Sequence, residues 1–117
     1  MRYINIILKV PSEKIEEVEA VVMEHANYIK STYVEDSGLG NPINTYFTKG
    51  PEFNNPANPE DGTTGNILLS INETWNELED IQAHAGRAMG APHGERLLSV
   101  FQEYGTLSIG GEEIFKH

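Results

Sequence analysis

An α+β domain with the element order β-α-β-β-α-β is predicted by three features of this 117-residue sequence. An alternating apolar run opens the chain. Two separate stretches carry apolar residues at three- and four-residue steps. Further strand-like runs lie between these stretches and after the second.

Residues 3–10 alternate as a strand does. Ile4, Ile6, Leu8 and Val10 share one face, and Tyr3, Asn5, Ile7 and Lys9 share the other. A face that mixes Tyr, Asn and Ile suits a partly buried surface, such as a cavity or an interface. After Pro11, Ser12 is placed to cap a helix. Glu13, Glu16 and Glu17 favour the positive end of its dipole. Ile15, Val18, Val22, Ala26 and Ile29 form its buried stripe, which runs to about Lys30. His25 falls in that stripe and reads as a packed core residue. Residues 31–42, with Gly38, Gly40 and Pro42, read as a loop, and Ile43 to Lys49 as a second strand. Residues 50–65 hold three prolines and three glycines. That is long for a link between neighbouring strands, where about 2–5 residues is usual, so a functional lid or a disordered segment is expected.

The third strand is expected from Asn66 to about Glu73. Thr74-Trp75-Asn76-Glu77 then matches a capping box, which predicts a helix that starts almost without a linker. It continues through Leu78, Ile81 and Ala85. Gly86 and Gly90 weaken its end, and Pro92 fits the first turn of a further helical piece, so the second helix should break in two. Leu97, Leu98, Phe101 and Tyr104 form the apolar stripe of that piece, and Gly105 stops it. A fourth strand follows from Leu107 to Lys116, with Gly110-Gly111 marking a bulge or a close backbone approach.

This order is the ferredoxin-like plan, a four-stranded antiparallel sheet with helices on one face. The length supports one core, so a single domain over residues 1–117 is expected. Nothing in the chain remains to cover the other sheet face. An open apolar face is a liability, and a second copy packed face to face about a two-fold axis is the expected remedy. A homodimer is therefore expected.

Composition narrows the partners. The net charge is −10 and only eight Lys and Arg are present, which disfavours nucleic acids and anionic membranes. No apolar run approaches the roughly 20 residues that span a bilayer. Met1-Arg2-Tyr3 runs directly into a strand pattern, so no signal peptide is expected and a cytoplasmic location is the default. There is no cysteine, which excludes disulfides, thiolate metal sites, Fe–S clusters and cysteine nucleophiles. No pair of candidate ligands has helical metal-binding spacing, so no metal site is expected.

Five residues are the chemical candidates. His84, at the margin of its helix's apolar stripe, has a pKa range suited to a general base; the competing reading is a structural imidazole at the helix edge. His93 lies in the glycine-proline break, where it would bind a substrate anion or simply meet solvent. Trp75 would wall an aromatic pocket or anchor the helix onto the sheet. Asn5 would orient a substrate oxygen in a cavity or sit hydrogen-bonded at a dimer interface. Glu73, if buried, would have a raised pKa and act as an acid; otherwise it would pair with a cation.

The arrangement of Glu73, Trp75 and Ala83-His84 resembles the antibiotic biosynthesis monooxygenase family. There a strand ends in a Glu-x-Trp-like element, and an Ala-His-like pair falls eleven residues after the Glu, as Glu73 to His84 does here. Ala91-Pro92-His93 is similar to the family's second His element. The resemblance runs in outline from the first strand to the fourth and is concentrated between Leu68 and Phe101. It implies a dimeric α+β barrel. The family includes cofactor-free oxygenases of phenolic substrates, haem-degrading enzymes and quinol oxygenases. The haem degraders place a Trp near the position of His84, which argues against haem here, although Asn5 and His93 look similar to their Asn and His. The resemblance thus implies a cofactor-independent monooxygenase acting on a hydrophobic aromatic or phenolic molecule between sheet and second helix. His84 would be the base, and Asn5, Glu73, Trp75 and His93 would bind substrate. The two long loops support a rival reading, a non-catalytic ligand-binding or assembly module on the same fold.

Overall fold

Alternation along the first strand divides this molecule into a helix side and an open side. The computed structural model describes all residues 1–117, in the order β1 (Arg2–Pro11), α1 (Ile15–Thr32), β2 (Asn44–Phe53), β3 (Thr63–Trp75), α2 (Leu78–Met89), α3 (Gly94–Tyr104) and β4 (Gly105–Glu112). The four strands form one antiparallel sheet with order β2-β3-β1-β4. This is the ferredoxin-like plan with the second helix split in two.

The core lies between sheet and helices. Leu8 and Val10 of β1 and Leu69 and Ile71 of β3 meet Val18 and Val22 of α1 and Val100 of α3. Cross-strand register sets this up, because Ile6 faces Ile71 and Leu8 faces Leu69, which puts four apolar side chains on one surface. The opposite surface carries Tyr3, Asn5, Ile7, Tyr46, Leu68, Asn72, Leu107 and Ile109. Tyr46, Leu107 and Ile109 are each about half exposed there, and no helix covers them. No helix is long and apolar enough to cross a membrane.

Three local expectations change. Residues 50–65 are neither a lid nor a disordered link. β2 runs on to Phe53 and β3 starts at Thr63, with Pro51 opposite Ile67 and Phe53 opposite Thr63. Only residues 54–62 form the turn of this hairpin, closed by Asn54 N–H donating to the Gly62 carbonyl. Pro51 is tolerated because β2 is an edge strand. Gly62 and Gly65 supply the positive φ values, 86° and 92°, that other residues resist.

The capping box at Thr74 does not form. Thr74 lies opposite Tyr3 on one side and Asn44 on the other, so β3 continues through Trp75. Ladder pairing with both neighbours overrides the local signal. α2 begins at Leu78 after an extended Glu77, with no side-chain cap. In β4, Gly110 and Gly111 pair regularly with Ile4 and Tyr3, and the irregularity falls instead between Ile7 and Leu8, opposite Leu107 and Gly105.

The break between α2 and α3 depends on Gly94. A Cβ there would lie 2.3 Å from the Met89 carbonyl oxygen and 2.7 Å from that of Ala88. Only glycine allows so close a return of the chain, and this return turns His93 inward, where it is buried.

Candidate functional site

Alternation along β3 puts Glu73 and Trp75 on the helix side, in series with Leu69 and Ile71. The Glu73 carboxylate is 4% exposed. Trp75 Nε1–H donates to its Oε1 at 3.0 Å. His84 Nε2 lies 3.5 Å from Oε1, and His25 Nε2 lies 3.5 Å from Oε2. The carboxylate therefore sits between two imidazoles.

Each imidazole has a second partner. His84 Nδ1 is 2.6 Å from the Tyr33 hydroxyl, which also accepts from Arg87 Nη1 at 2.5 Å. The Arg87 guanidinium lies 5.5 Å from the centre of the Tyr33 ring. His25 Nδ1 is 3.0 Å from His93 Nε2. The result is one continuous chain of contacts, Arg87, Tyr33, His84, Glu73, His25, His93. α1 supplies His25, with Tyr33 at its C-terminal end. α2 supplies His84 and Arg87, which share a face because they are three residues apart.

Burial alone would raise the pKa of Glu73, the first of its two sequence readings. The attraction of the two flanking imidazoles outweighs it and holds the carboxyl down at about 2. Glu73 is thus a fixed anion and not an acid. Burial pushes His93 below the usual imidazole range, and the neighbouring His25 adds to this. Burial pushes the Tyr33 phenol upward, against the opposing pull of Arg87.

A cavity of about 150 Å³ opens beside this cluster. Ile4, Ile6, Ile81, Met89, Leu97 and Phe101 make its apolar walls, and His25, Glu73 and His84 make its polar end. An apolar protein cavity of similar volume holds one benzene molecule.

The five candidates fall in different places. His84 and Glu73 reach the cavity. Trp75 is fully buried behind them, with its ring 4.8 Å from that of His84. His93 is buried behind His25 and is not a solvated loop residue. Asn5 does not reach the cavity at all. Its neighbours Ile4 and Ile6 do, so strand alternation turns Asn5 to the open face, where its amide donates to Asn72 Oδ1 at 2.8 Å.

His25, Tyr33 and Arg87 were missed as site residues by sequence reading. His25 is buried as expected, but as a polar partner and not as plain packing. Its signal was an imidazole on an apolar stripe, because buried ring nitrogens need partners. Tyr33 and Arg87 gave no signal in spacing. His25, Glu73 and His84 come from three elements, and their ligand-type atoms all lie within 4.8 Å of one another. Spacing along a single helix could not reveal such a set.

Neither a known family model nor any curated protein matches the sequence. Solved structures do match. One is a proposed antibiotic biosynthesis monooxygenase from Deinococcus radiodurans, with TM-score 0.55 and 13% identity over 100% of this chain and 99% of that one. Another is protein Atu4242 from Agrobacterium tumefaciens, with TM-score 0.51 and 15% identity over 95% of this chain and 89% of that one. At such identities the likeness establishes the fold. The chain shares the α+β fold of these two structures along nearly its whole length.

Proposed function

We propose that this protein is a cofactor-independent monooxygenase-like enzyme acting on a hydrophobic, single-ring phenolic molecule held between the sheet and α2. The observation that carries this reading is the ionised Glu73 flanked by His25 and His84 at the polar end of an apolar cavity. His84 has Nδ1 at the Tyr33 oxygen and, at the cavity end beside Glu73, Nε2. That nitrogen takes the phenol proton, and the carboxylate stabilises the imidazolium that results. The phenolate is electron-rich at its ring carbons. Dioxygen adds at one of them to give a hydroperoxide, and loss of water leaves the quinone. One phenol and one dioxygen thus yield one quinone and one water.

The test is oxygen uptake by chelator-treated protein across a panel of single-ring phenols and quinols. His84→Ala is expected to reduce turnover by about 10²–10⁴-fold, the usual contribution of a general base. Unchanged turnover in that variant would overturn the assignment. The non-catalytic reading also has support, because the nitrogens of His25 and His84 already face internal partners. Saturable binding of a phenol with no turnover in the panel would decide for it.

The reading includes a homodimer formed through the open sheet face. Its support is the group of Ile7, Tyr46, Leu68, Leu107 and Ile109 on that face, which no helix of this chain covers. Light scattering at micromolar concentration should give twice the 13.0 kDa chain mass. Ile109→Lys should shift the protein to monomer without touching the cavity, which lies on the other face. A monomeric parent protein would refute the dimer.

A further inference from the structure

We infer that His25, Glu73 and His84 form a binding site for one divalent first-row transition ion, open toward the apolar cavity. The inference rests on the cavity being the working site, as proposed above, but adds a ligand that the proposal does not use.

The distances are those of a ligand set. Both Nε2 atoms stand 3.5 Å from a carboxylate oxygen, beyond the roughly 2.7–3.2 Å of a closed N–H···O hydrogen bond. Two ligand atoms bound at about 2.0–2.2 Å to a tetrahedral centre sit about 3.3–3.6 Å apart, which matches the distance from each imidazole to its own carboxylate oxygen, Oε2 for His25 and Oε1 for His84. The widest separation in the set is within 4.8 Å, so closing it to a tetrahedral spacing takes inward shifts of about half an ångström or slightly more per ligand.

The donors also have the right kind and setting. Two imidazoles and one carboxylate suit zinc and its neighbours rather than calcium or magnesium, which take oxygen ligands. Each ligand is steadied from behind: Glu73 by the Trp75 N–H, His84 at Nδ1 by Tyr33, and His25 at Nδ1 by His93. Ligating imidazoles characteristically use the second nitrogen in this way, which fixes the ring with the ligating nitrogen inward. All three side chains are buried yet line the cavity, so the remaining coordination position faces it. Three protein ligands with one position left open is the pattern of a reactive metal site, not a closed structural one. The ion and a substrate proton would compete for the same His84 lone pair, so loading should suppress the metal-free chemistry.

The experiment titrates chelator-treated, dialysed protein with cobalt(II), which absorbs visibly in tetrahedral sites, and follows zinc(II) by calorimetry. One equivalent of cobalt should give the visible bands, and zinc should displace it. Glu73→Gln and His84→Ala, each checked by circular dichroism, should weaken binding by about 100-fold or more. Absence of one-to-one binding by the folded parent protein overturns the site, whatever the variants do. Binding that survives both substitutions belongs to other histidines and also overturns it. The two proposals fail separately. Turnover of a phenol without any cobalt binding removes the metal site and leaves the enzyme reading. Cobalt binding without turnover, loaded or unloaded, retains the site and removes that reading. Turnover only in the loaded protein retains the site and ends the cofactor-independent mechanism.

Discussion

Glu73→Ala is expected to lower the unfolding free energy by about 3–5 kcal/mol, the usual cost of removing one member of a buried charged pair. The substitution leaves the Trp75 N–H without its acceptor and His25 and His84 without the carboxylate between them. Glu73→Gln keeps the shape and loses the charge, so it isolates the ionic part. That part has a defined pH dependence. The folded carboxyl is held at about 2, below its ordinary value of 4.5. Above that ordinary value both folded and unfolded states are ionised, and the stabilisation is fully present. As pH falls toward 2, the unfolded chain takes up the proton first and the contribution is lost. Its size is on the order of 3 kcal/mol, because each tenfold loss of proton affinity on folding is worth about 1.4 kcal/mol. Urea unfolding from pH 7 down to pH 3 should show the gap between parent and Glu73→Gln narrowing. A gap that stays constant across that range would show that the carboxylate is not held by charge.

The second large effect is expected at Trp75. Its side chain is wholly buried, and its ring meets Tyr33 edge-on at 5.4 Å as well as His84. Trp75→Ala removes a large indole from the wall of the cluster, and such truncations cost about 3–5 kcal/mol. Trp75→Phe retains most of the ring but takes away the N–H donor to Glu73. Leaving that buried acceptor short of one bond should cost about 1–2 kcal/mol. The pair of variants separates packing from hydrogen bonding, with far-UV circular dichroism in denaturant as the readout. If alanine and phenylalanine cost the same, the ring contributes no support beyond its donor.

Much of the architecture was legible in the sequence, for physical reasons that differ between elements. The alternation of Ile4, Ile6, Leu8 and Val10 and the stripe of Ile15, Val18, Val22 and Ile29 are periodic signals, and periodicity survives tertiary context. Signals that depend on a few adjacent residues did not. Thr74 and Glu77 look like a helix start, but ladder pairing with β1 and β2 outweighs one capping bond. Pro51 and Gly50 look like loop residues, yet pairing with Ile67 and Leu68 draws them into a hairpin.

The site divides the same way. Glu73 and His84 stood out through their spacing and do share the cavity end. Asn5 has two sequence readings, a cavity amide or a hydrogen-bonded residue on the open face, and the alternation of its own strand turns it to the open face. His25 was read as packing because its role depends on β3, 48 residues further along, lying against α1. No local pattern encodes that proximity. Tyr33 and Arg87 acquire meaning only once α1 and α2 lie side by side.

Trp75 is the only tryptophan in the chain, and its indole lies 4.8 Å from the His84 ring and 3.0 Å from a Glu73 oxygen. All of the protein's tryptophan fluorescence therefore arises at the polar end of the cavity. A protonated imidazole quenches an excited indole by accepting an electron, so the emission of Trp75 is sensitive to its immediate neighbours. Any ligand that enters the cavity finds this label-free reporter behind the polar end.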